Sequence, residues 1–175
     1  EQPPLYTSVN VGGTVALLEF VRERGIGSFV FASSSSVYGN NKVVPFSENH
    51  SVDHHISPYA ASKKAGELLC HTYHHLYGIG MLCLRLFTVY GPRQRPDLAI
   101  HKFARLMQSG EPIPMFGDGS TERDYTFVDD TLQGLLGAIR FLDQNPDAFE
   151  IVNLGESRTV SLTQMIDTLA RTLGV

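Results

Sequence analysis

Apolar residues recur at helical spacing between Tyr6 and Arg24, at Val11, Val15, Leu18 and Val21, and Gly25 ends the run. This pattern predicts a helix. "IGSFVFASS", residues 26–34, is a continuous apolar run closing on small polar residues, as expected of a strand buried on both faces. A long polar loop leads to Pro58, and "YAASKKAGELLCHTYHHLYG", residues 59–78, is rich in helix formers with Gly78 as its stop. "MLCLRLFTVYGP", residues 81–92, predicts a second buried strand running into a Gly-Pro break. The remainder is more mixed. It predicts helices at 99–108, 129–142 and 162–173, a short "PIPMF" segment at 112–116, a "GDGST" turn, and the strand-like runs "RDYTFV" and "FEIVNLG". No internal repeat or low-complexity stretch interrupts this order.

Helix, strand, loop, helix, strand is the alternation of an α/β protein with a parallel sheet and crossover helices. Such sheets bind ligands beyond the carboxyl ends of their strands. Both strand ends carry polar residues here: "SSSS" at Ser33 to Ser36, and Thr88 followed by "YGPRQR".

Composition narrows the ligand. The 175 residues are 42% hydrophobic and 18% charged, enough to bury a core. A net charge of -4 and a pI near 5.9, with dispersed basic residues, give no electrostatic footprint for nucleic acid or an anionic membrane. Small-molecule chemistry is the better expectation. Cys70 and Cys83 lie in a helical and a strand-like run, which argues against a disulfide framework and fits a reducing cytoplasm. The chain starts at Glu1 rather than Met, enters a helical pattern at once and stops just after another helix. We therefore expect it to be excised from something longer.

Tyr59 and Lys63 are four residues apart, so on a helix they share one face. A cation near a phenol favours the phenolate, a competent general base for a hydroxyl. Spacing alone also allows an incidental pair on a helix surface. "SSSSVYG" at the preceding strand end alters that balance, because a serine hydroxyl there can hold the oxygen that Tyr59 deprotonates. Alone, the serine run reads equally as a loop. His71 and His75, four apart in "HTYHH", have no Cys, Asp or Glu in their turn to complete a metal set, and Asp118 in "GDGST" lacks a calcium ligand ladder. No metal is expected.

Taken in order, "NVGGT" from Asn10, "FVFASSSSVYG", "SPYAASKKAGE", "LRLFTVYGPRQRPD" and "GDGSTERDYTFVDD" resemble the extended short-chain dehydrogenase/reductase family, in particular its nucleotide-sugar 4-epimerases. The resemblance runs from Asn10 almost to the last helix. It implies a Rossmann-like NAD-binding domain, of which residues 1–92 are the C-terminal part. Residues 93–175 are implied to contribute to a smaller sugar-nucleotide domain, with strands returning to the cofactor domain. The resemblance implies Ser34, Tyr59 and Lys63 as catalytic residues, with Tyr59, Lys63, Phe87 and Asn10 on the cofactor side. Lys63 is implied to hold the nicotinamide ribose, Asn10 to support the lysine, and Phe87 to lie beside the nicotinamide. Thr88 stands where galactose-type members usually have an asparagine, and Arg123 matches an arginine that grips the nucleotide diphosphate, as its planar guanidinium suits. Without the resemblance, Arg123 reads as a solvated strand-start residue. The implied mechanism is transient oxidation: Tyr59 takes the C4 hydroxyl proton as hydride passes to NAD, the keto sugar turns over, and hydride returns to its other face.

Departures from the family pattern carry information of their own. Similar dehydratases place an acidic pair after the hydroxyl residue, and related decarboxylases keep a glutamate before "VYG". Ser35 and Ser36 stand there instead, which favours epimerisation without elimination. Ser34, Ser35, Ser36, Thr88, Arg95 and Arg123 are the expected substrate residues. Small donors at Ser35 and Ser36, with Thr88 and Arg95, suit a sugar carboxylate, and "TVYGPRQRPD" resembles the stretch in the UDP-glucuronate 4-epimerases. We thus expect an NAD-dependent 4-epimerase of a UDP-hexuronate, cytoplasmic, with a homodimer in the parent protein formed through helices that include the Tyr59 helix. The alternatives are a UDP-glucose/UDP-galactose 4-epimerase, another reductase or dehydratase of the family, or a non-catalytic binding homologue. Arg93 and Arg95 read equally as solvated loop charges. The glycine-rich turn that cradles the NAD pyrophosphate is missing, so this chain alone is expected to be inactive or nearly so.

Overall fold

The computed structural model describes residues 2–115 and 117–175; Glu1 and Phe116, the last residue of the expected 112–116 segment, lie outside the described residues. Two compact units emerge. One takes the chain up to Phe87 and again from Thr131 to Leu154, and the other takes Thr88–Asp130 and Gly155–Val175. The expected division after residue 92 returned strands of the second part to the first. The chain passes between the two units at 87/88, 130/131 and 154/155.

The first unit is a three-stranded parallel sheet, ordered β1 (Ser28–Ser34), β2 (Gly80–Leu86), β5 (Phe149–Leu154). β2 is central and almost wholly buried, so its alternate side chains feed two cores. Met81 and Cys83 join Leu18, Val21, Phe31 and Cys70, residues that belong to β1, α2 (Gly13–Glu23) and α3 (Pro58–Tyr77). Leu82 and Leu84 pack against Ala138 and Leu142 of α5 (Val128–Gln144) on the opposite face. Cys70 and Cys83 are both free and buried.

The predicted N-terminal helix is present with an irregularity. A short α1 (Pro3–Tyr6) passes through a π-helical stretch, Thr7–Gly12, into α2. Periodicity at 3.6 residues does not reveal one wide turn. α3 begins as its sequence dictates: Ser57 accepts from the Ala60 amide, Pro58 occupies the first turn, and Gly78 closes the helix at a left-handed φ of 65°. Gly66 lets α3 approach the sheet, because a Cβ there would collide with the ring of buried Phe31. The histidines of this helix are in part structural. The rings of His71 and His74 flank Phe149, and half-buried His74 also bonds the Ile79 carbonyl through Nδ1.

The expected strand over residues 81–92 is two strands. β2 stops at Leu86, the Phe87 amide donates to the Leu154 carbonyl, and the chain continues as β3 (Thr88–Tyr90) in a different sheet. A continuous apolar run carries no mark of such a switch. In the second unit β3 pairs in parallel with β4 (Glu122–Phe127). β4 pairs antiparallel with β6 (Thr159–Ser161), a strand too short to be read from sequence. α4 (Ala99–Gln108) packs on α6 (Leu162–Leu173). Among the described residues no helix is long and apolar enough to cross a membrane.

The close approach at Gly66 is testable. Gly66→Ala gains about 1 kcal/mol of helix propensity but overpacks α3 against Phe31, at a cost of about 1–3 kcal/mol. Denaturant titration of the full-length protein carrying this sequence should show net destabilisation.

Candidate active site

The carboxyl end of β1 and the first turns of α3 bring the predicted groups of the first unit together. Lys63 Nζ donates to the Ala32 carbonyl at 2.9 Å and lies 5.8 Å from the centre of the Tyr59 ring and 5.5 Å from that of Phe31. Burial pushes the Lys63 ammonium below its ordinary range. It spends one of its three N–H donors on Ala32. Tyr59 is half-buried, with the Tyr6 ring edge-on at 5.8 Å.

Ser34 ends β1 in extended backbone and caps the short 3₁₀ turn Ser35–Tyr38. Its Oγ accepts from the Ser36 amide at 3.2 Å and from the Ser36 hydroxyl at 2.9 Å, which leaves its own O–H to donate. Ser35 and Ser36 sit half-buried in that turn. Asn10, in the π-helical stretch, donates through Nδ2 to Ser62 Oγ at 2.9 Å, and Ser62 Oγ donates to the Tyr59 carbonyl at 2.7 Å. Asn10 thus braces the first turn of α3, beside the lysine. Phe87 is half-buried, its ring 6.3 Å from Phe46, which stacks on Tyr38.

Thr88, Arg95 and Arg123 belong to the second unit. Thr88 opens β3, Arg123 is exposed on β4, and exposed Arg95 donates through Nε to Asp97 at 2.6 Å.

Beneath the strand ends lies a buried network that the sequence reading missed. Ser33, Arg85 and Asn153 occupy one rung of the sheet, one residue before each strand finishes. Arg85 and Glu67 are each 1% exposed, and they pair through Nε to Oε1 and Nη2 to Oε2, both at 2.9 Å. Ser33 Oγ donates to Glu67 Oε1 at 2.6 Å, Lys64 Nζ to Oε2 at 3.1 Å, and Arg85 Nη1 to the Tyr38 hydroxyl at 2.9 Å. Tyr38 in turn donates to Asn153 Oδ1, whose amide groups hold Phe46 and Glu48 of the 39–57 loop. Burial works to raise the Glu67 carboxyl, yet its bonds to Arg85 and Ser33 bring it below the ordinary carboxylate range. Burial likewise opposes the Arg85 charge, and the bonds to Glu67 and Tyr38 hold it above its usual value. The sequence signal was Arg85 itself, since an arginine within an apolar strand run must find a buried partner.

Comparison with known proteins now bears on this arrangement. Residues 1–155 match the model of the NAD dependent epimerase/dehydratase family, and the chain belongs to that family. It is 42% identical over 175 residues to a UDP-glucuronate 4-epimerase of Thermodesulfobacterium geofontis, covering 99% of this chain and 52% of that protein. Among solved structures it superposes with a TM-score of 0.89 on the UDP-glucuronic acid 4-epimerase of Bacillus cereus in complex with UDP-glucuronic acid and NAD. That match has 37% identity and covers 97% of this chain and 52% of that one. A UDP-N-acetylglucosamine 4-epimerase of Methanobrevibacter ruminantium M1 matches with a TM-score of 0.90 at 28% identity, covering 99% and 56%. The α/β fold is thus the Rossmann-like fold of these epimerases, and the chain spans about half the length of the relatives it matches.

Two expectations follow. Arg85→Met alone takes from the buried Glu67 its two-point partner and leaves it only Lys64 and Ser33, and should cost about 3 kcal/mol of stability in a denaturant titration. For Lys63, a depressed folded pKa means that the unfolded chain binds more protons between that value and the ordinary 10.5, so folding gains stability as pH rises through this window. The melting temperature of the parent relative to Lys63→Met should therefore climb from pH 7 toward pH 10.5, and a flat difference would contradict the desolvation of Lys63.

Proposed function

We propose that these residues are the catalytic half of an NAD-dependent nucleotide-sugar 4-epimerase, with a UDP-hexuronate as substrate. The observation that carries this reading is the placement of Lys63 Nζ between the Tyr59 ring and the end of β1, with Ser34 at that same strand end. Tyr59 is the general base that takes the proton from the C4 hydroxyl and returns it. Ser34 donates to the same oxygen and fixes its distance from Tyr59. Lys63, partly desolvated, sets its ammonium beside the Tyr59 ring, 5.8 Å from its centre.

The donor set fits the nicotinamide-ribose end of a dinucleotide: Lys63 keeps two N–H donors, and Phe87 offers an aromatic face at the end of β2. NAD, when bound, supplies reversible redox chemistry at the sugar C4. Lys63 and Tyr59 are assigned to its ribose, and Asn10 holds the first turn of α3 that presents them. The glycine-rich turn that would bind the pyrophosphate is not among these residues.

Ser35 and Ser36 are assigned to the sugar in the first unit. They put hydroxyls where an eliminating enzyme needs acids, which supports epimerisation and suits a carboxylate. Thr88, Arg95 and Arg123 of the second unit are assigned to the nucleotide sugar, Arg123 to its diphosphate. The preference for a uronate is supported by the UDP-glucuronate 4-epimerases of Thermodesulfobacterium geofontis and Bacillus cereus. The likeness to the UDP-N-acetylglucosamine 4-epimerase supports a second reading, a sugar without a C6 carboxylate.

The test uses the full-length protein with NAD and either UDP-glucuronate or UDP-glucose, followed at C4 by proton NMR without added reductant. Inversion of the uronate is expected, and Tyr59→Phe should lower kcat by about 100-fold or more. Turnover of the neutral sugar alone would replace the uronate assignment, and a Tyr59→Phe variant that keeps its rate would remove Tyr59 as the base.

A further inference from the structure

We propose that Glu67 and Arg85 are positioning residues for the Tyr59 and Lys63 pair, setting the roll and depth of α3 against the strand end that carries Ser34. The inference rests on the functional reading above and extends it to two residues that touch neither sugar nor cofactor.

Tyr59, Lys63 and Glu67 are spaced i, i+4 and i+8, one stripe along α3. At its middle, Lys63 reaches β1 through the Ala32 carbonyl. One turn further on, Glu67 reaches β1 through Ser33 and β2 through Arg85, on the rung next to Ser34. The helix is thereby fixed at two points to the strand whose end it must face. The apolar contacts of α3 with Phe31, Met81 and Cys83 also hold it, but such contacts are non-directional and leave a helix free to roll. A two-point Arg–carboxylate pair specifies direction.

Small movements are enough to matter. A helix with its side chains has a radius of about 5–6 Å, so a 10° roll shifts the outer atoms by about 1 Å. Errors of that size in a reacting group cost about 100-fold in rate. A buried ion pair, by contrast, adds little stability over an apolar pair of similar volume. That contrast makes the roles separable: replacing both partners removes the directional constraint while the packing persists.

The experiment compares the full-length protein with Glu67→Met/Arg85→Met, using UDP-glucuronate and UDP-glucose as substrates, with melting temperature and UDP-sugar affinity by calorimetry as independent readouts. The expected result is a melting temperature close to the parent's, affinity and KM within about twofold, and kcat reduced about 10- to 100-fold. Parental kcat overturns the proposal, and so does a kcat loss matched by lost affinity and melting temperature, which is what a merely structural pair gives. If the double variant does not fold, Ser33→Ala decides the question, because it cuts only the bond from Glu67 to the strand next to Ser34. A severalfold lower kcat at unchanged KM supports positioning, and an unchanged kcat overturns it. Tyr59→Phe measured alongside keeps the two ideas apart: if it retains its rate the functional reading fails, and the positioning proposal fails with it, whereas a defective Tyr59→Phe beside an unaffected double variant sinks the positioning alone.

Discussion

The buried pairing of Glu67 with Arg85 is the constraint on which the first unit turns. Two charges taken out of water are expensive, and here each guanidinium nitrogen of Arg85 and each carboxylate oxygen of Glu67 has a partner, drawn from Ser33, Lys64, Tyr38 and the two ions themselves. The pair joins α3 to the central strand at the level where the strands end, and it draws in Asn153 of β5 through Tyr38. From there the network reaches Phe46 and Glu48, so the long polar loop is tied to the same rung. Sheet register, helix placement and loop anchorage thus share one set of polar contacts.

The candidate site stands one residue and one helical turn away from that rung. Ser34 follows Ser33, and Lys63 precedes Glu67 by a turn. This neighbourhood explains how a lysine can be partly desolvated without being lost into the core. Its ammonium lies over the Phe31 ring and is fixed to the Ala32 carbonyl, and Glu67 in the network is already matched by Arg85. Asn10 and Ser62 perform a parallel service for the first turn of α3, holding the Tyr59 carbonyl by neutral bonds.

Much of this was legible in the chain. The helix over Pro58–Tyr77 is written in its cap, its proline, its helix formers and its terminal glycine, all local signals. The buried strands follow from their apolar runs, and Tyr59, Lys63 and Ser34 stood out as candidates through motifs that resemble the family's. What escaped depends on distant partners. The pairing of Glu67 with Arg85 spans 18 residues, and Tyr38 meets Asn153 across 115. The switch at Phe87 from one sheet to another, the π-helical stretch around Asn10 and the three-residue β6 leave no periodic trace either. Arg85 was visible as an oddity in an apolar run, and the rule that buried charges are paired would have prompted a search for its acid.

The central claim is that Tyr59, Lys63 and Ser34 serve a transient oxidation at C4 of a nucleotide sugar. It is tested most directly by giving the full-length protein, with NAD, a UDP-hexuronate deuterated at C4 and following the label by NMR as the configuration inverts. The account predicts that deuterium stays at C4 in the epimerised product, because the hydrogen removed returns to the same carbon. Loss of the label to solvent during inversion would contradict it.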